Sequence, residues 1–120
     1  MLGLMSTDPD CLFCKIITGE IPTESVHESA TTFAFRDISP EAPTHILVVP
    51  RNHFADAAAL AQSEPTTAAH LFDAAREIAA AEGLGNGYRL VFNTGVDAMQ
   101  TVFHVHMHLL GGRSLGWPPG

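Results

Sequence analysis

Three histidines alternate with apolar residues near the end of the chain, at His104, His106 and His108. In an extended strand alternate residues share a face, so this spacing predicts a row of three imidazoles. The first and last Cα atoms would lie roughly 13 Å apart, too far for both rings to bind one zinc ion at about 2 Å. A neutral imidazole is a nucleophile near neutral pH, so the central His106 could attack an electrophile while its neighbours bind charge and move protons. The alternative is a strand that merely carries surface histidines, and the apolar opposite face disfavours it.

Composition limits the class of protein. The 120 residues suffice for one domain with a core, and 46% hydrophobic with 16% charged residues is typical of a globular protein. No apolar run is long enough to span a membrane, so no membrane partner is expected. A net charge of −7 with a single lysine argues against a nucleic-acid partner, because proteins that follow phosphates cluster Lys and Arg. The first residues lack the basic region of a signal peptide, which predicts a cytoplasmic protein.

Short strands and helices must position the histidines. Gly19 should end a first short helix, and a long helix should begin after Ser63 as N-cap and stop at Gly83. A turn with two prolines, residues 37–43, delivers His45 into an apolar strand. The helices are expected over 11–18 and 64–82, and the strands over 26–28, 32–36, 46–49, 88–92 and 101–110.

This order of elements predicts an α+β fold. Short strands in succession with the helices kept apart indicate an antiparallel sheet with one long and one short helix. Residues 1–10 are expected to form a flexible lead-in, followed by a single domain over residues 11–120.

The pattern HxHxH followed by two apolar residues resembles that of the histidine triad (HIT) family. Further segments look like the Hint branch of that family, the purine nucleoside phosphoramidases. These segments are 11–17, 35–40, 42–45, 87–89, 100–104 and 111–120, the last ending in Trp-Pro-Pro-Gly. The resemblance extends over nearly all of residues 11–120, which is far more specific than a lone HxHxH. It implies a HIT-like fold and a homodimer with a continuous sheet.

The resemblance implies a hydrolase that cleaves the P–N bond of purine nucleoside 5′-phosphoramidates, releasing a nucleoside monophosphate and an amine. His106 would be the nucleophile and form a covalent nucleotidyl-histidine intermediate. His108 would contact the phosphoryl oxygens and the leaving group, while His104 and His45 would fix tautomers and hold protons. Which histidine protonates the amine is open at this point.

The resemblance also implies a nucleotide site. Asp37 would bind the ribose hydroxyls, although a turn residue before Ser39 is a real rival interpretation. Asn93, Gln100 and Thr101 match polar phosphate contacts, while Asn93 could instead cap a turn and Thr101 fill a strand. The apolar slot for the base would be formed by residues that could equally be core: Phe13, Ile16, Ile21, Phe35 and Ile38.

Cys11 and Cys14 form a CxxC, which alone indicates zinc, redox chemistry or two buried thiols. By resemblance, a structural zinc would be held by Cys11, Cys14, His53 and His104, a Cys2His2 set. No cofactor is expected to be required for the chemistry itself.

One departure from the resembling family concerns Met99, because many relatives carry glycine just before the residue that is here Gln100. A side chain there could change the leaving-group side of the site, since only glycine freely adopts positive φ. Two alternatives to the phosphoramidase stay open: a dinucleoside polyphosphate hydrolase, and a non-catalytic nucleotide-binding or interaction protein.

Overall fold

The computed structural model describes residues 7–120, and within them five strands form one antiparallel sheet. The strand order is β1-β2-β3-β5-β4, with β1 Ser25–Glu28, β2 Thr32–Arg36, β3 Thr44–Pro50, β4 Tyr88–Phe92 and β5 Met107–Gly111. The helices are α1 Leu12–Ile17, α2 Ala57–Ser63 and α3 Pro65–Ala81, and a 3-10 turn spans Val96–Ala98. The predicted α+β fold on an antiparallel sheet is confirmed. No helix within residues 7–120 is long and apolar enough to cross a membrane.

The central strand β3 is buried along its whole length, because the sheet is covered on both faces. Alternate residues of a strand point to opposite faces, so β3 contributes to two separate clusters. Ile46 and Val48 pack in the cluster that contains Leu71 and Ile78 of α3. Leu47 and Val49 pack in the cluster of α1. The long helix and the short helix therefore cover opposite faces of the sheet.

The prediction of one continuous long helix capped by Ser63 was wrong, since Ser63 is the last residue of α2. Glu64 has φ −140° and ψ 70°, outside the helical region, and Pro65 follows it. The ring of a proline disfavours helical backbone in the residue before it, which separates α2 from α3. The N-cap that the sequence analysis missed is Asp56, whose side chain accepts a hydrogen bond of 2.9 Å from the Ala59 amide.

The histidine strand is shorter than predicted, because β5 begins only at Met107. Residues 101–106 adopt no regular secondary structure. The amide of Val105 donates a 2.7 Å hydrogen bond to the Phe54 carbonyl in a loop, so it does not extend the ladder of the sheet. Of the three alternating histidines only His108 lies in the strand, and the other two approach it through an irregular segment.

Strand pairing places His45 of β3 beside His108 of β5. Leu47 of β3 pairs with His108 of β5, and His45 pairs with Leu110. Residues two apart on one strand share a face, so His45 and His108 are diagonal neighbours on the same side of the sheet.

The predicted flexible lead-in lies partly outside the described residues, namely at 1–6. The part that the structure does describe is hydrogen-bonded: the Cys11 amide donates to the Asp8 carbonyl at 3.0 Å, and the Asp10 amide to the Asp8 side chain at 2.9 Å. These residues form a turn against the start of α1.

Candidate functional site

His106 is the central histidine of the triad and only 7% exposed. Its Nδ1 lies 2.9 Å from the carbonyl oxygen of His104. A carbonyl can only accept, so Nδ1 carries the proton and Nε2 is left with a free lone pair. Burial lowers the pKa of His106, which keeps the ring neutral near pH 7. The side chain is thus held in the protonation state and tautomer that a nitrogen nucleophile needs.

A chain of hydrogen bonds fixes the tautomers of His45 and His108. The amide of Glu41 donates to His45 Nδ1 at 3.0 Å, so the proton of this ring resides on Nε2. His45 Nε2 lies 2.8 Å from His108 Nδ1 and donates to it. His108 consequently carries its own proton on Nε2. Burial, with smaller contributions from His106 and His45, lowers the pKa of His108 to about 4.

The rings of His106 and His108 lie with their centroids 5.0 Å apart. The first offers a lone pair and the second an N–H donor. A nucleophile and a hydrogen-bond donor side by side are the two groups that displacement at a phosphoryl centre requires.

Asp37 lies next to this chain of histidines. Its Oδ2 is 3.5 Å from His45 Nε2, and its Oδ1 accepts a 2.8 Å hydrogen bond from the Ser39 amide. The turn role that competed with ribose binding is therefore present in the structure, and it occupies only one of the two carboxylate oxygens. Ligand atoms of Asp37, His45 and His108 lie within 4.8 Å of one another, as in a metal site. However, the Glu41 amide keeps the proton on His45 Nε2, so these groups fit a hydrogen-bonded chain and not a metal site.

The residues predicted to enclose a base fall into two groups. Phe13, Ile16 and Phe35 are buried in the cluster of α1, and Ile21 packs against that cluster. Phe13 presents its ring to His106 in an edge-to-face arrangement with centroids 5.0 Å apart. Ile38, by contrast, is 94% exposed in the turn after β2 and forms no part of the core.

The loop between β4 and the triad uses its polar side chains internally. Gln100 is 4% exposed; its Oε1 accepts from the Gly95 amide at 2.9 Å, and its Nε2 donates to the Ala55 carbonyl at 2.8 Å. Asn93 donates to a main-chain carbonyl in the same loop. Thr101 is exposed. Gln100 thus supports the loop in this structure, and its predicted phosphate contact would require it to give up one of these bonds.

Met99 ends the 3-10 turn of that loop in the left-handed conformation, with φ +64°. Its side chain is 76% exposed. A side chain in this backbone conformation carries strain, which glycine at the same position would avoid.

The second predicted set brings together four side chains that are far apart in sequence. His104 Nε2 donates a 2.8 Å hydrogen bond to the Pro50 carbonyl, so its Nδ1 is unprotonated. This Nδ1 lies 3.5 Å from the sulfurs of both Cys11 and Cys14 and 3.1 Å from Nδ1 of His53. Burial lowers the pKa of His104 to about 4, which keeps the ring neutral. We call these four residues the Cys/His cluster.

The surroundings of the Cys/His cluster fit a zinc ion. Amides of Cys14 and Asp8 donate to the sulfurs of Cys11 and Cys14 at 3.2 and 3.4 Å, an arrangement that stabilises thiolates. Burial raises the pKa of the Cys14 thiol to about 11, and a bound dication would lower it again. Two thiolates with two imidazoles are a usual donor set for structural zinc. A surface cavity of about 280 Å³, lined by Asp8, Asp10, Cys11 and His53 among others, offers a route of entry.

Comparison with known proteins assigns the family. A family model described as HIT domain matches residues 18–115. The chain belongs to the HIT domain family.

Two relatives are similar in sequence to almost the whole chain. An uncharacterised HIT-like protein of Synechococcus elongatus is 50% identical over 111 residues, which is 92% of this chain and 97% of that protein. A 14 kDa zinc-binding protein of Zea mays is 44% identical over 115 residues, covering 94% of this chain and 90% of the relative. Among solved structures, a HIT family hydrolase from Legionella pneumophila superimposes with a TM-score of 0.88 at 48% identity, covering 92% of this chain and all of that one.

Main-chain groups that fix the histidine protons of this HIT protein could not be predicted from the sequence. The carbonyls of Pro50 and His104 and the amide of Glu41 each set one tautomer. Main-chain groups are present at every position, so no residue type signals them. The only hint in the sequence was the turn before His45, whose prolines restrict where this amide can lie.

Proposed function

We propose that this HIT protein is a nucleotide hydrolase that cleaves the P–N bond of purine nucleoside 5′-phosphoramidates. The observation that carries this proposal is the pair of tautomers at the triad. His106 has a free Nε2, and the neighbouring His108 has a protonated Nε2, both in neutral rings. The HIT family hydrolase from Legionella pneumophila supports hydrolysis as the general reaction class, and the Hint-like segments noted above support the specific bond.

The reaction would proceed by two displacements at phosphorus. The lone pair of His106 Nε2 forms a bond to phosphorus and the P–N bond to the amine breaks. The leaving nitrogen takes up a proton from the His108 and His45 pair, and a proton from solvent replaces it so that both rings stay neutral. The Nδ1–H of His106 remains bonded to the His104 carbonyl and stabilises the charge that develops on the ring. Water then forms a bond to phosphorus as the bond to His106 Nε2 breaks, and the proton that the water loses passes through the same pair of histidines to solvent. This releases the nucleoside monophosphate and regenerates His106.

Substrate binding would use the groups around this pair. The Oδ2 of Asp37 is available for the ribose hydroxyls, since Oδ1 is bonded to the Ser39 amide. The face of α1 and β2 that carries Phe13 and Phe35, extended by Ile16, Ile21 and Ile38, would receive the purine. Asn93, Gln100 and Thr101 would contact the phosphate after the loop rearranges around it.

Zinc would be held by the Cys/His cluster, as the similarity to the zinc-binding protein of Zea mays supports. Bound there, zinc would supply structural cross-linking, with no role at the reacting phosphorus. The protein would reside in the cytoplasm.

The HIT resemblance also supports a homodimer, and β4 is the edge through which we expect it to pair. Edge strands expose unpaired amides and carbonyls, and the other edge, β1, is interrupted by a register shift between Ser25 and His27 that blunts it. Sedimentation should then give twice the 12.8 kDa of one chain.

The test is turnover of an adenosine 5′-phosphoramidate that releases a fluorescent amine. His106→Asn removes the nucleophile, and the new amide can still donate to the His104 carbonyl, so the fold should be retained. Activity should fall by at least about 10³-fold, and the native protein should form an acid-labile nucleotide adduct on His106. His70→Asn, a change at an exposed histidine, is the matched control and should retain full activity.

Other outcomes identify the alternatives. Equal turnover by His106→Asn and native protein would refute the mechanism. Turnover of a dinucleoside polyphosphate in preference to the phosphoramidate would indicate the neighbouring hydrolase class. Binding of adenosine monophosphate without any turnover would indicate a nucleotide-binding protein.

A further inference from the structure

The nucleophile lies at the end of an irregular segment that precedes β5 and takes no part in the ladder of the sheet. Residues 101–106 form neither helix nor strand, and residues 51–56, which they contact, do not either. Between these segments, the Val105 amide donates to the Phe54 carbonyl at 2.7 Å, and the Nδ1 atoms of His104 and His53 lie 3.1 Å apart. His104 Nε2 also donates to the carbonyl of Pro50, the last residue of β3, at 2.8 Å. The position of His106 therefore depends on what holds two loops together.

His104 takes part in both the Cys/His cluster and the nucleophile site. Its ring nitrogen Nδ1 faces the sulfurs of Cys11 and Cys14 and the ring of His53. Its main-chain carbonyl accepts the Nδ1–H of His106 at 2.9 Å. Because ring and carbonyl belong to one residue, a shift of the ring within the cluster also shifts the group that fixes the nucleophile's tautomer.

Helix α1 provides a second link between the same two places. Cys11 caps this helix, with its sulfur accepting from the Cys14 amide, and Cys14 lies one turn further along. Between them, Phe13 packs its ring against His106 at 5.0 Å and against His104 at 6.1 Å between centroids. A helix of six residues is too short to be stable alone, so its position is set by such contacts.

We propose that His104 is a positioning residue that couples zinc binding at the Cys/His cluster to the orientation of the His106 ring. The inference rests on the function proposed above and extends it. Zinc held by the four residues fixes α1, the 51–56 loop and the 101–106 segment relative to one another. Without it, the chemistry remains available, but the ring of His106 samples orientations in which Nε2 is not presented to phosphorus.

The experiment compares zinc-loaded and chelator-treated protein at one pH, at a temperature where both are folded by circular dichroism. Long-range ¹H–¹⁵N spectra report the tautomer of each histidine ring, and steady-state kinetics give kcat and KM separately. On zinc removal we expect kcat to fall about tenfold while KM changes less than about twofold. The His106 signals should shift or broaden, and both effects should reverse when zinc is restored.

Two variants keep the result interpretable. Cys14→Ser should reproduce the metal-free state and should not be rescued by zinc, and His53→Ala, at a half-buried ligand, provides the same comparison if the first variant does not fold. His70→Asn should respond to zinc as the native protein does. Superimposable His106 signals and equal kcat with and without zinc would overturn the proposal, as would a protein that binds no stoichiometric zinc.

The experiment distinguishes failure of the zinc coupling from failure of the proposed function. If no substrate is turned over and no adduct forms on His106, the function fails, yet the spectra still report whether zinc controls the ring. If turnover occurs with the same kcat in both states, only the coupling fails.

Discussion

Acid should destabilise the metal-free protein well before its ordinary carboxylates protonate, because two histidines are kept neutral inside it. The pKa of His104 and that of His108 are each lowered to about 4 by burial, against 6.5 for an unperturbed ring. The folded-state pKa lies below the unfolded one, so the unfolded chain binds more protons between these values. The stabilising effect is complete above about pH 6.5 and is lost as the pH falls towards 4.

The size of the effect follows from the two pKa values. For His104, lowering the pH from about 7.5 to about 5 should reduce the free energy of unfolding by about 2 kcal/mol. His108 is half-buried, so screening by solvent reduces its share to about 1 kcal/mol. Together they should remove about 3 kcal/mol, a substantial part of the stability of a small domain.

Urea unfolding in the presence of a chelator, at about pH 7.5 and about pH 5, measures this difference. His108→Asn should show a smaller loss than the native protein, whereas His70→Asn, at an exposed position, should show the same loss. A free energy of unfolding that changes by less than about 0.5 kcal/mol between the two pH values would refute the reasoning, because it would mean that His104 is protonated in the folded state.

Three further outcomes test the site and its supports. Gly112→Ala should lower the free energy of unfolding by about 2–4 kcal/mol in the same urea titration, because φ is +89° there and a Cβ would lie 2.9 Å from Pro43 Cβ. Gly111→Ala is the control and should cost far less, because its Cβ would meet the end of the Leu84 side chain, which can move. Met99→Gly should raise the free energy of unfolding by about 1 kcal/mol by relieving its left-handed strain, and a lower value would show that the methionine side chain contributes more than it costs. In a pH–rate profile, kcat/KM should fall on the acid side with a midpoint below 6.5, because burial lowers the pKa of His106 from 6.5. An acid midpoint above 6.5 would contradict this.

Strands in which β-branched and aromatic residues recur at regular spacing could be predicted from the sequence. Strands 32–36 and 88–92 have the predicted bounds, because β-branched and aromatic residues recur with turn residues on either side. The break between α2 and α3 was missed because alanine-rich sequence satisfies helical periodicity on both sides of it. The proline at position 65 was assigned to the first turn of one helix, which is right for α3, but the helix that precedes it was not recognised.

The limits of the histidine strand were less predictable, for a reason that concerns tertiary structure. The alternation at 104–108 satisfies a strand pattern throughout, yet pairing begins only at Met107. What ends the strand is a hydrogen bond from Val105 to Phe54, a residue that is distant from it in the chain. Local pattern contains no information on such a partner.

The four residues of the Cys/His cluster were grouped at the sequence level only through family resemblance. Cys11 and His104 are 93 positions apart, and neither has a local pattern that points to the other. Spacing alone assigned the cysteines to zinc, redox chemistry or burial. In the structure the four donors lie together, and the bond from His104 Nε2 to the Pro50 carbonyl leaves the His104 Nδ1 that faces the other three unprotonated.

The deeper lesson of the triad is that three identical side chains acquire different chemistry from main-chain groups. The Pro50 carbonyl leaves His104 with a lone pair that faces the Cys/His cluster, and the His104 carbonyl leaves His106 with a free lone pair on Nε2. The Glu41 amide acts through His45 to give the third ring a donor. Substitution of nearby side chains can leave all three assignments intact as long as the backbone keeps its path. Loss of the backbone path would change the chemistry without changing any histidine, which is why the short segment before β5, and what anchors it, matters as much as the triad itself.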